Sequence, residues 1–311
     1  MTLPEAPSHW HILGAGAIGG LWAVRLLSCG YPVHLIERLS SSTTHRSLCL
    51  IDDGHEARCD VPVRASNSHS TLSPLLITTK AGDTATALTP LLDDLQPGDI
   101  VLLLQNGMGV DEWLRQRRPD LRILTGITTD GVFRKDRNTL VLAGRGKTLI
   151  GGEMPDEQLA AIEIAQQWNT CGANVEAVTD IRSQRWQKLA INCAINPLTA
   201  LYRCKNGELE QHADALVTMR DICTEVAIIM RAEGLSTDGE ALFKVACQVA
   251  RQTSANTSSM LADVIAGRHT EIDFMNGYVV NMALRHSIAT PINTAITLAV
   301  QALHPLSDPV I

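Results

Sequence analysis

The stretch that decides the fold is residues 10–19, Trp-His-Ile-Leu-Gly-Ala-Gly-Ala-Ile-Gly. Its first four residues predict a buried strand, and the apolar residues after the loop recur at helical spacing. In a G-x-G-x-x-G loop between strand and helix, the first glycine permits a tight turn, the second lets a pyrophosphate approach the backbone, and the third allows close helix packing. The stretch therefore predicts a dinucleotide site. Its residues are Gly14, Ala15, Gly16, Ala17, Ile18 and Gly19.

The first half of the chain repeats this alternation of short apolar runs and amphipathic stretches. Such a rhythm is typical of a parallel sheet with crossover helices, which is an α/β fold of the Rossmann type. The predicted strands are 9–13, 33–37, 75–79, 100–104, 122–126, 140–143 and 173–178.

From Asp180 onward the pattern is almost entirely helical. The chain has 311 residues and is 45% hydrophobic, enough for two cores. We therefore predict a dinucleotide-binding Rossmann domain over 1–179 and a second, all-α substrate and catalytic domain over 180–311. The predicted helices are 181–202, 207–234, 238–253, 258–267, 270–287 and 291–304.

Composition excludes several classes of function. A formal net charge of -7 argues against a nucleic-acid or anionic-membrane partner, because either needs a basic face. The eight cysteines are far apart and form no C-x-x-C pair, and the histidines show no zinc-ligand spacing. We expect reduced thiols, no metal, and a cytoplasmic protein whose start lacks signal-peptide features. The oligomeric state, monomer or dimer, stays open.

The end of the second predicted strand bears on the choice of cofactor. Glu37 could hold the ribose hydroxyls of NAD, whereas Arg38 could hold the 2'-phosphate of NADP. A guanidinium binds phosphate with two hydrogen bonds, so NADP is favoured. Glu37 beside Arg38 leaves the strictness of NADPH over NADH open.

Two further strand ends point to the same edge of the predicted sheet, where ligands of parallel sheets bind. Lys80 follows the 75–79 strand, and residues 105–109, Gln-Asn-Gly-Met-Gly, follow the 100–104 strand. Asn106-Gly107 is also a common hairpin pair, but no partner strand pattern follows, which favours a ligand loop. Residues 144–148 look like a phosphate loop without its first glycine and are interpreted as a turn.

The segment 185–197 is largely apolar but carries Lys188, Asn192 and Asn196 four residues apart. Residues at this spacing lie along one side of a helix. Burying a lysine and two amides in a plain core is costly, so the pattern predicts a polar pocket. Two ordinary explanations compete with it, namely that Lys188 reaches outward to solvent and that Asn196 merely caps the helix before Pro197.

Several segments together resemble the ketopantoate reductase (2-dehydropantoate 2-reductase) family. The family signature of K-L-x-x-N-x-x-I-N-P-L-T-A followed by N-G-E-L is matched at 188–200 and 206–209. The resemblance continues at 258–263, at 267–273, at Asn276-Gly277 and in the 105–109 loop, so it covers essentially the whole chain.

This resemblance implies NADPH-dependent reduction of 2-dehydropantoate (ketopantoate) to (R)-pantoate in pantothenate and coenzyme A biosynthesis. It makes Lys188 the general acid. The implied substrate contacts are Asn106, Asn192, Asn196, Asn206 and Ser259. The implied cofactor contacts beyond the glycine loop are Arg38, Lys80, Asn106 and Glu271.

Two alternatives remain at this stage. One is a related NADP-dependent dehydrogenase that acts on another branched 2-oxo or 3-hydroxy acid, because a fold does not fix a substrate. The other is a non-catalytic NADP-binding redox sensor, although the presence of Lys188, Asn192 and Asn196 together counts against it.

Overall fold

The structure is a computed structural model that describes residues 9–37, 44–65 and 72–303. By their contacts, the described residues form two compact units. One runs up to Asn106 and continues over Val110–Ile181, and the other comprises Gly107–Gly109 and the residues from Arg182 onward. Within the described ranges, no helix is both long enough and apolar enough to cross a membrane.

The first unit is built on one mixed sheet of eleven described strands, in the order β11-β10-β7-β6-β5-β1-β2-β4-β3-β9-β8. The neighbours from β4 through β2, β1, β5 and β6 to β7 are parallel, whereas β3–β4, β7–β10 and β8–β9 are antiparallel. This confirms the predicted α/β fold. The strands are β1 (Trp10–Leu13), β2 (Val33–Glu37), β3 (His45–Asp52), β4 (His55–Ala65), β5 (Leu75–Ile77), β6 (Ile100–Leu103), β7 (Arg122–Thr128), β8 (Gly131–Arg134), β9 (Thr139–Gly144), β10 (Thr148–Gly151) and β11 (Val175–Ala177).

Four helices cover the sheet of the first unit. Trp22 on α1 stacks on Trp168 of α4 with ring centroids 3.8 Å apart, and Trp10 of β1 lies 5.1 Å from the same Trp168 ring. These fully buried indoles anchor the core against which the glycine loop is held. The helices are α1 (Ala17–Ser28), α2 (Ala81–Leu88), α3 (Val110–Arg117) and α4 (Pro155–Asn169), with a 3-10 segment at Thr89–Asp94.

The hairpin formed by β3 and β4 is absent from the sequence-based strand predictions. Its turn is Asp53-Gly54, and both residues have positive φ, 48° and 79°. Two consecutive positive φ values match the type I′ turn that fits the twist of a hairpin, and Asp-Gly is one of its preferred pairs. The dipeptide was therefore a signal that could have predicted the hairpin.

The second unit is helical, as predicted for the C-terminal part. Two predicted helices are wrong in extent. The 207–234 helix is interrupted at His212, whose φ of -110° and ψ of 102° are extended, and the 270–287 helix is interrupted at Met275, with φ of -111° and ψ of -99°. Its elements are α5 (Ile181–Tyr202), α6 (Ala213–Ala232), α7 (Gly239–Gln252), α8 (Ser259–Ile265), α9 (Asn276–Arg285) and α10 (Pro291–Gln301), with 3-10 segments at Asn206–Gln211 and Ile272–Phe274.

Candidate active site

The glycine loop has the backbone geometry that its sequence predicts. Gly14 has φ of +104°, and a Cβ there would lie 2.6 Å from the backbone nitrogen of Thr79, so only glycine fits. A Cβ at Gly19 would overlap the carbonyl oxygen of Gly14. Thr78 donates a hydrogen bond of 2.6 Å from Oγ1 to that same carbonyl. The first and third glycines therefore serve the close approach of α1 to the ends of β1 and β5.

Gly16 differs from the other two glycines because nothing lies within 4 Å of where its Cβ would be. It is the N-cap residue of α1, where no side chain caps the first turn. Backbone N–H groups and the helix dipole attract an anion at such a helix start. Ala15, Ala17 and Ile18 complete a loop whose open side fits the pyrophosphate of a dinucleotide.

Hydrogen bonds tie the neighbouring strand ends together. Nε2 of Gln105 donates to the carbonyl oxygen of Thr79 at 2.7 Å and to Oγ1 of Thr84 at 2.5 Å. Lys80, half-buried, is the N-cap residue of α2, and Asn106 is exposed after β6. The 105–109 loop leads into α3 and forms no hairpin, as its sequence predicts. Residues 145–147 connect β9 to β10, so a strand rather than a helix follows Gly146, as predicted, and the segment is not a phosphate loop.

The carboxyl end of β2 carries an ion pair that sequence reasoning missed. Glu37 accepts a short hydrogen bond from Arg46 of β3, and Nη1 of Arg46 also donates to the carbonyl oxygen of Ala15 at 3.4 Å. Arg134 of β8 lies close enough to Arg46 and Glu37 for both to affect its pKa, which burial lowers most. Arg38, the predicted phosphate ligand, lies outside the described residues. Arg46 was missed because the β3–β4 hairpin that places it was missed.

The predicted polar stripe of the second unit lies on α5. Lys188, Asn192 and Asn196 are half-buried at successive turns, among buried residues such as Leu189 and Cys193. The amide of Asn196 donates to Sδ of Met275 at 3.9 Å. Because α5 continues to Tyr202, Asn196 is not a cap at a helix end, and that competing explanation is wrong.

Lys188 has the electrostatic environment expected of a proton donor. Burial lowers the pKa of Lys188 from 10.5 to about 8, and the carboxylate of Glu271 acts in the opposite direction. A general acid works best when its pKa lies near the working pH. Because its charge affects the pKa of Lys188, Glu271 lies near that lysine. The predicted contact of Glu271 with the cofactor stays a prediction.

Asn206 and Ser259, two predicted substrate contacts in the second unit, differ in burial. Nδ2 of Asn206 donates to Oγ1 of Thr253 at 2.9 Å, whereas its buried Oδ1 has no partner among the described residues. Ser258 is the buried N-cap residue of α8 and also accepts from Thr199, while Ser259 is exposed. The exposed hydroxyl of Ser259 can therefore meet a polar ligand, whereas the amide oxygen of Asn206 is buried with its hydrogen-bonding capacity unused among the described residues.

A buried network supports the middle of α5. Pro197 has no N–H, so the carbonyl oxygen of Cys193 loses its helical donor. The amide of Asn276 donates to that carbonyl at 3.2 Å and to Oδ1 of Asn293 at 3.0 Å, and Asn293 in turn donates to Glu225 at 2.7 Å. Sequence reasoning assigned Asn276 no role, although a proline inside a helix signals an orphaned carbonyl four residues earlier.

Both halves of the chain match one family. The profile described as "Ketopantoate reductase PanE/ApbA" matches residues 10–153, and "Ketopantoate reductase PanE/ApbA C terminal" matches residues 180–304. The 2-dehydropantoate 2-reductase of Vibrio cholerae serotype O1 is 37% identical over 297 residues, or 94% of this chain and 96% of that protein. The 2-dehydropantoate 2-reductase of Shigella flexneri is 36% identical over 284 residues, or 91% of each chain.

Solved structures share the same fold. A D-mandelate dehydrogenase with NADH and anilino(oxo)acetate has a TM-score of 0.87 at 22% identity, covering 95% of this chain and 98% of its own. A probable 2-dehydropantoate 2-reductase from Bacillus subtilis has a TM-score of 0.80 at 27% identity, covering 95% and 100%. The glycine loop that fits a dinucleotide, the lysine with its lowered pKa and the two matching halves lead to one conclusion: this chain belongs to the ketopantoate reductase family and is an oxidoreductase.

Proposed function

We propose that the chain reduces the keto group of 2-dehydropantoate with NADPH and yields (R)-pantoate for pantothenate and coenzyme A biosynthesis. The observation that carries this proposal is Lys188, whose pKa is lowered to about 8, on the same helix stripe as Asn192 and Asn196. The relatives' names support the substrate, because those proteins are 2-dehydropantoate 2-reductases.

We assign the proton transfer to the substrate's carbonyl oxygen to Lys188. A bound nicotinamide supplies the hydride that the keto carbon accepts. As that carbon is reduced, negative charge grows on the carbonyl oxygen, and Nζ of Lys188 donates a proton there. A proton donor with a pKa of about 8 is largely charged at neutral pH and still gives up its proton more readily than an ordinary lysine.

The remaining polar groups of the helical unit orient the substrate. A 2-oxo acid presents a carboxylate and, in 2-dehydropantoate, a hydroxyl group. We assign these to the amides of Asn192, Asn196 and Asn206 and to the hydroxyl of Ser259. Oδ1 of Asn206 has no partner among the described residues, and accepting from the substrate hydroxyl would offset the free-energy cost of leaving this buried oxygen unpaired. Asn106 stays a predicted contact to both substrate and cofactor.

NADPH rather than NADH is proposed from the charges at the end of β2. Glu37 is paired with Arg46, so its negative charge is compensated and does not face the 2'-phosphate alone. Arg46 and Arg134 place two guanidinium groups close to Glu37, which directly precedes Arg38 in the sequence. Guanidinium groups bind phosphate tightly. Lys80 stays a proposed cofactor contact as well.

The reduced state of the cysteines bears on where the enzyme works. All eight are free thiols in the structure, and four of them are buried. Thiols persist in the reducing environment of the cytoplasm. We therefore infer a cytoplasmic enzyme, in line with the proposed biosynthetic role.

The alternative is reduction of a different 2-oxo acid, because the similar D-mandelate dehydrogenase structures hold NADH and one of them an oxo acid. The test is a comparison of kcat/KM with NADPH for 2-dehydropantoate, 2-oxoisovalerate, 2-acetolactate and phenylglyoxylate. A site built to bind the hydroxyl group rejects analogues without it, so 2-dehydropantoate should exceed 2-oxoisovalerate by at least about 100-fold. Equal or higher kcat/KM for another acid would replace the proposed substrate.

A further inference from the structure

Three histidines lie together at the amino ends of β1 and β2. His9 directly precedes β1, His11 is the second residue of β1, and His34 is the second residue of β2. Side chains two residues apart along a strand point to the same face of the sheet. His11 pairs with His34 in the parallel register. Strand geometry therefore gathers the three imidazoles, here named the histidine triad, although their spacing in the sequence shows no metal-site pattern.

The ring nitrogens of the histidine triad converge. One ligand atom from each ring lies within 4.8 Å of the other two. Nε2 of His9 and Nδ1 of His34 share a short hydrogen bond, and their ring planes are 4° from parallel. The His11 ring is within 14° of parallel to both, so the three imidazoles form one compact group whose ligand nitrogens are near neighbours.

His11 supplies an independent observation. Its side chain is buried, with 6% of the residue exposed, and its Nδ1 has no hydrogen-bond partner among the described residues. A buried nitrogen left unpaired is costly, and a ligand would remove the cost. Imidazole binds a metal ion through such a nitrogen lone pair.

The surrounding charges restrict which ion fits. Arg64 of β4 lies near His11 and His34, and His45 lies near His34. The Arg64 guanidinium is itself paired with Asp94 at 3.5 Å. No carboxylate is part of the histidine triad, which disfavours calcium and magnesium, because these ions need oxygen ligands. Zinc, nickel and copper accept imidazole nitrogen without a carboxylate.

We propose that His9, His11 and His34 bind one divalent transition-metal ion, with Zn²⁺ as the probe and water completing its coordination. Two nitrogens bound tetrahedrally to zinc at ~2.0–2.1 Å lie about 3.4 Å apart, so nitrogens that are up to 4.8 Å apart must approach by up to about 1.4 Å. The hydrogen-bonded nitrogens of His9 and His34 must instead move apart. When the ion binds, the hydrogen between Nε2 of His9 and Nδ1 of His34 moves to the other nitrogen of the ring that carries it, so both facing nitrogens present lone pairs to the ion. The ion links the starts of β1 and β2, while the glycine loop follows the opposite end of β1, ~10 Å along the strand from His11.

The test is calorimetric titration of the metal-free protein with Zn²⁺, in a Cys29→Ser background that removes the exposed thiol. We expect one site with a Kd below about 100 µM. His9→Ala and His34→Ala should each weaken binding by at least about tenfold, since even changes outside the ligand set cost that much. His55→Ala is the matched control, because His55 is an exposed histidine on β4 outside the triad.

A second measurement uses the unaltered protein and does not depend on how the variants fold. Co²⁺ bound by imidazoles gives visible absorption without the near-ultraviolet charge-transfer band that thiolate ligands add. The proposal expects this imidazole spectrum. It is overturned if no Zn²⁺ binds, if the thiolate band appears, or if a folded His9→Ala protein, altered at a half-buried position before β1, binds Zn²⁺ as tightly as the His55→Ala control. None of these outcomes depends on the proposed reductase activity.

Discussion

At the residue scale, the proposed role of Lys188 as general acid depends on how its surroundings set its pKa. An exposed lysine near pKa 10.5 would remain protonated throughout the neutral range and hold its proton too firmly. Burial lowers the pKa of Lys188 to about 8, while Glu271 limits the shift by stabilising the ammonium form. The pH dependence of the reaction should therefore report the pKa of Lys188 that results from these two opposing effects.

The pH profile tests that balance. Reduction needs the protonated lysine, so kcat/KM should fall about tenfold per pH unit once the pH exceeds about 8. Glu271→Gln removes the charge that raises the pKa of Lys188, so the falling limb should begin at a lower pH. A profile that stays flat to about pH 10, near the ordinary lysine value, would contradict the account, as would a limb that moves to higher pH in Glu271→Gln.

Arg46 tests the origin of cofactor preference. Arg46→Ala removes a guanidinium and also leaves Glu37 unpaired, so its carboxylate repels the 2'-phosphate but can still hold ribose hydroxyls. Loss of a charged hydrogen bond of ~1.5–3 kcal/mol predicts about 10- to 100-fold weaker NADPH binding, with NADH binding changed much less. Arg58→Ala is the control, since Arg58 is an exposed arginine paired with Glu56. Equal weakening for both cofactors, measured by fluorescence titration, would rule out this role.

At the element scale, the glycines at the start of α1 differ in what a side chain would meet. A Cβ at Gly14 or Gly19 would collide with the protein backbone, whereas a Cβ at Gly16 would lie where we propose that the cofactor binds. Gly16 has φ of -78°, which alanine accepts, and open space at its Cβ position. Gly16→Ala should therefore leave the urea unfolding midpoint nearly unchanged but weaken NADPH and NADH binding alike. Gly19→Ala should lower the midpoint, because its Cβ meets the Gly14 carbonyl. Unimpaired cofactor binding in Gly16→Ala would show that the pyrophosphate does not approach this loop.

The interior proline of α5 leads to a second prediction at this scale. Asn276→Ala leaves the Cys193 carbonyl oxygen buried without its side-chain donor, so the free energy of unfolding should fall by about 1–3 kcal/mol. Asn281→Ala, an exposed asparagine on the same helix α9, should change it by less than about 0.5 kcal/mol. Urea unfolding measures both, and equal stability of the two variants would mean that the buried network does not support α5.

An element could be predicted from the sequence when the residues that determine it are close together along the chain. The β1–loop–α1 unit and the stripe on α5 follow from periodicity and glycine spacing within about twenty residues. The β3–β4 hairpin was signalled only by Asp53-Gly54. Arg46 meets Glu37 because β3 pairs with β4, which in turn pairs with β2, and no local pattern encodes that neighbourhood. The histidine triad likewise depends on the parallel register of β1 with β2.

At the scale of the whole molecule, we propose that the two units contribute different chemistry. The first has the glycine loop and the charged strand ends that suit a dinucleotide, and the second has the lysine and amides that suit a small 2-oxo acid. The strand pattern stops near residue 180, and this is why the sequence predicts a division there. The cofactor's 2'-phosphate and the identity of the acid depend on a few side chains that a shared fold leaves free to vary.

The most direct test of the central claim follows NADPH absorbance with 2-dehydropantoate as the sole acceptor, with pantoate quantified in the same reaction. We predict one pantoate formed per NADPH consumed. Lys188→Ala should lose at least about two powers of ten in kcat while still binding NADPH, whereas Lys244→Ala, at an exposed lysine on α7, should match the unaltered enzyme. No loss of absorbance with the folded, NADPH-binding protein, or full turnover by Lys188→Ala, would contradict the account.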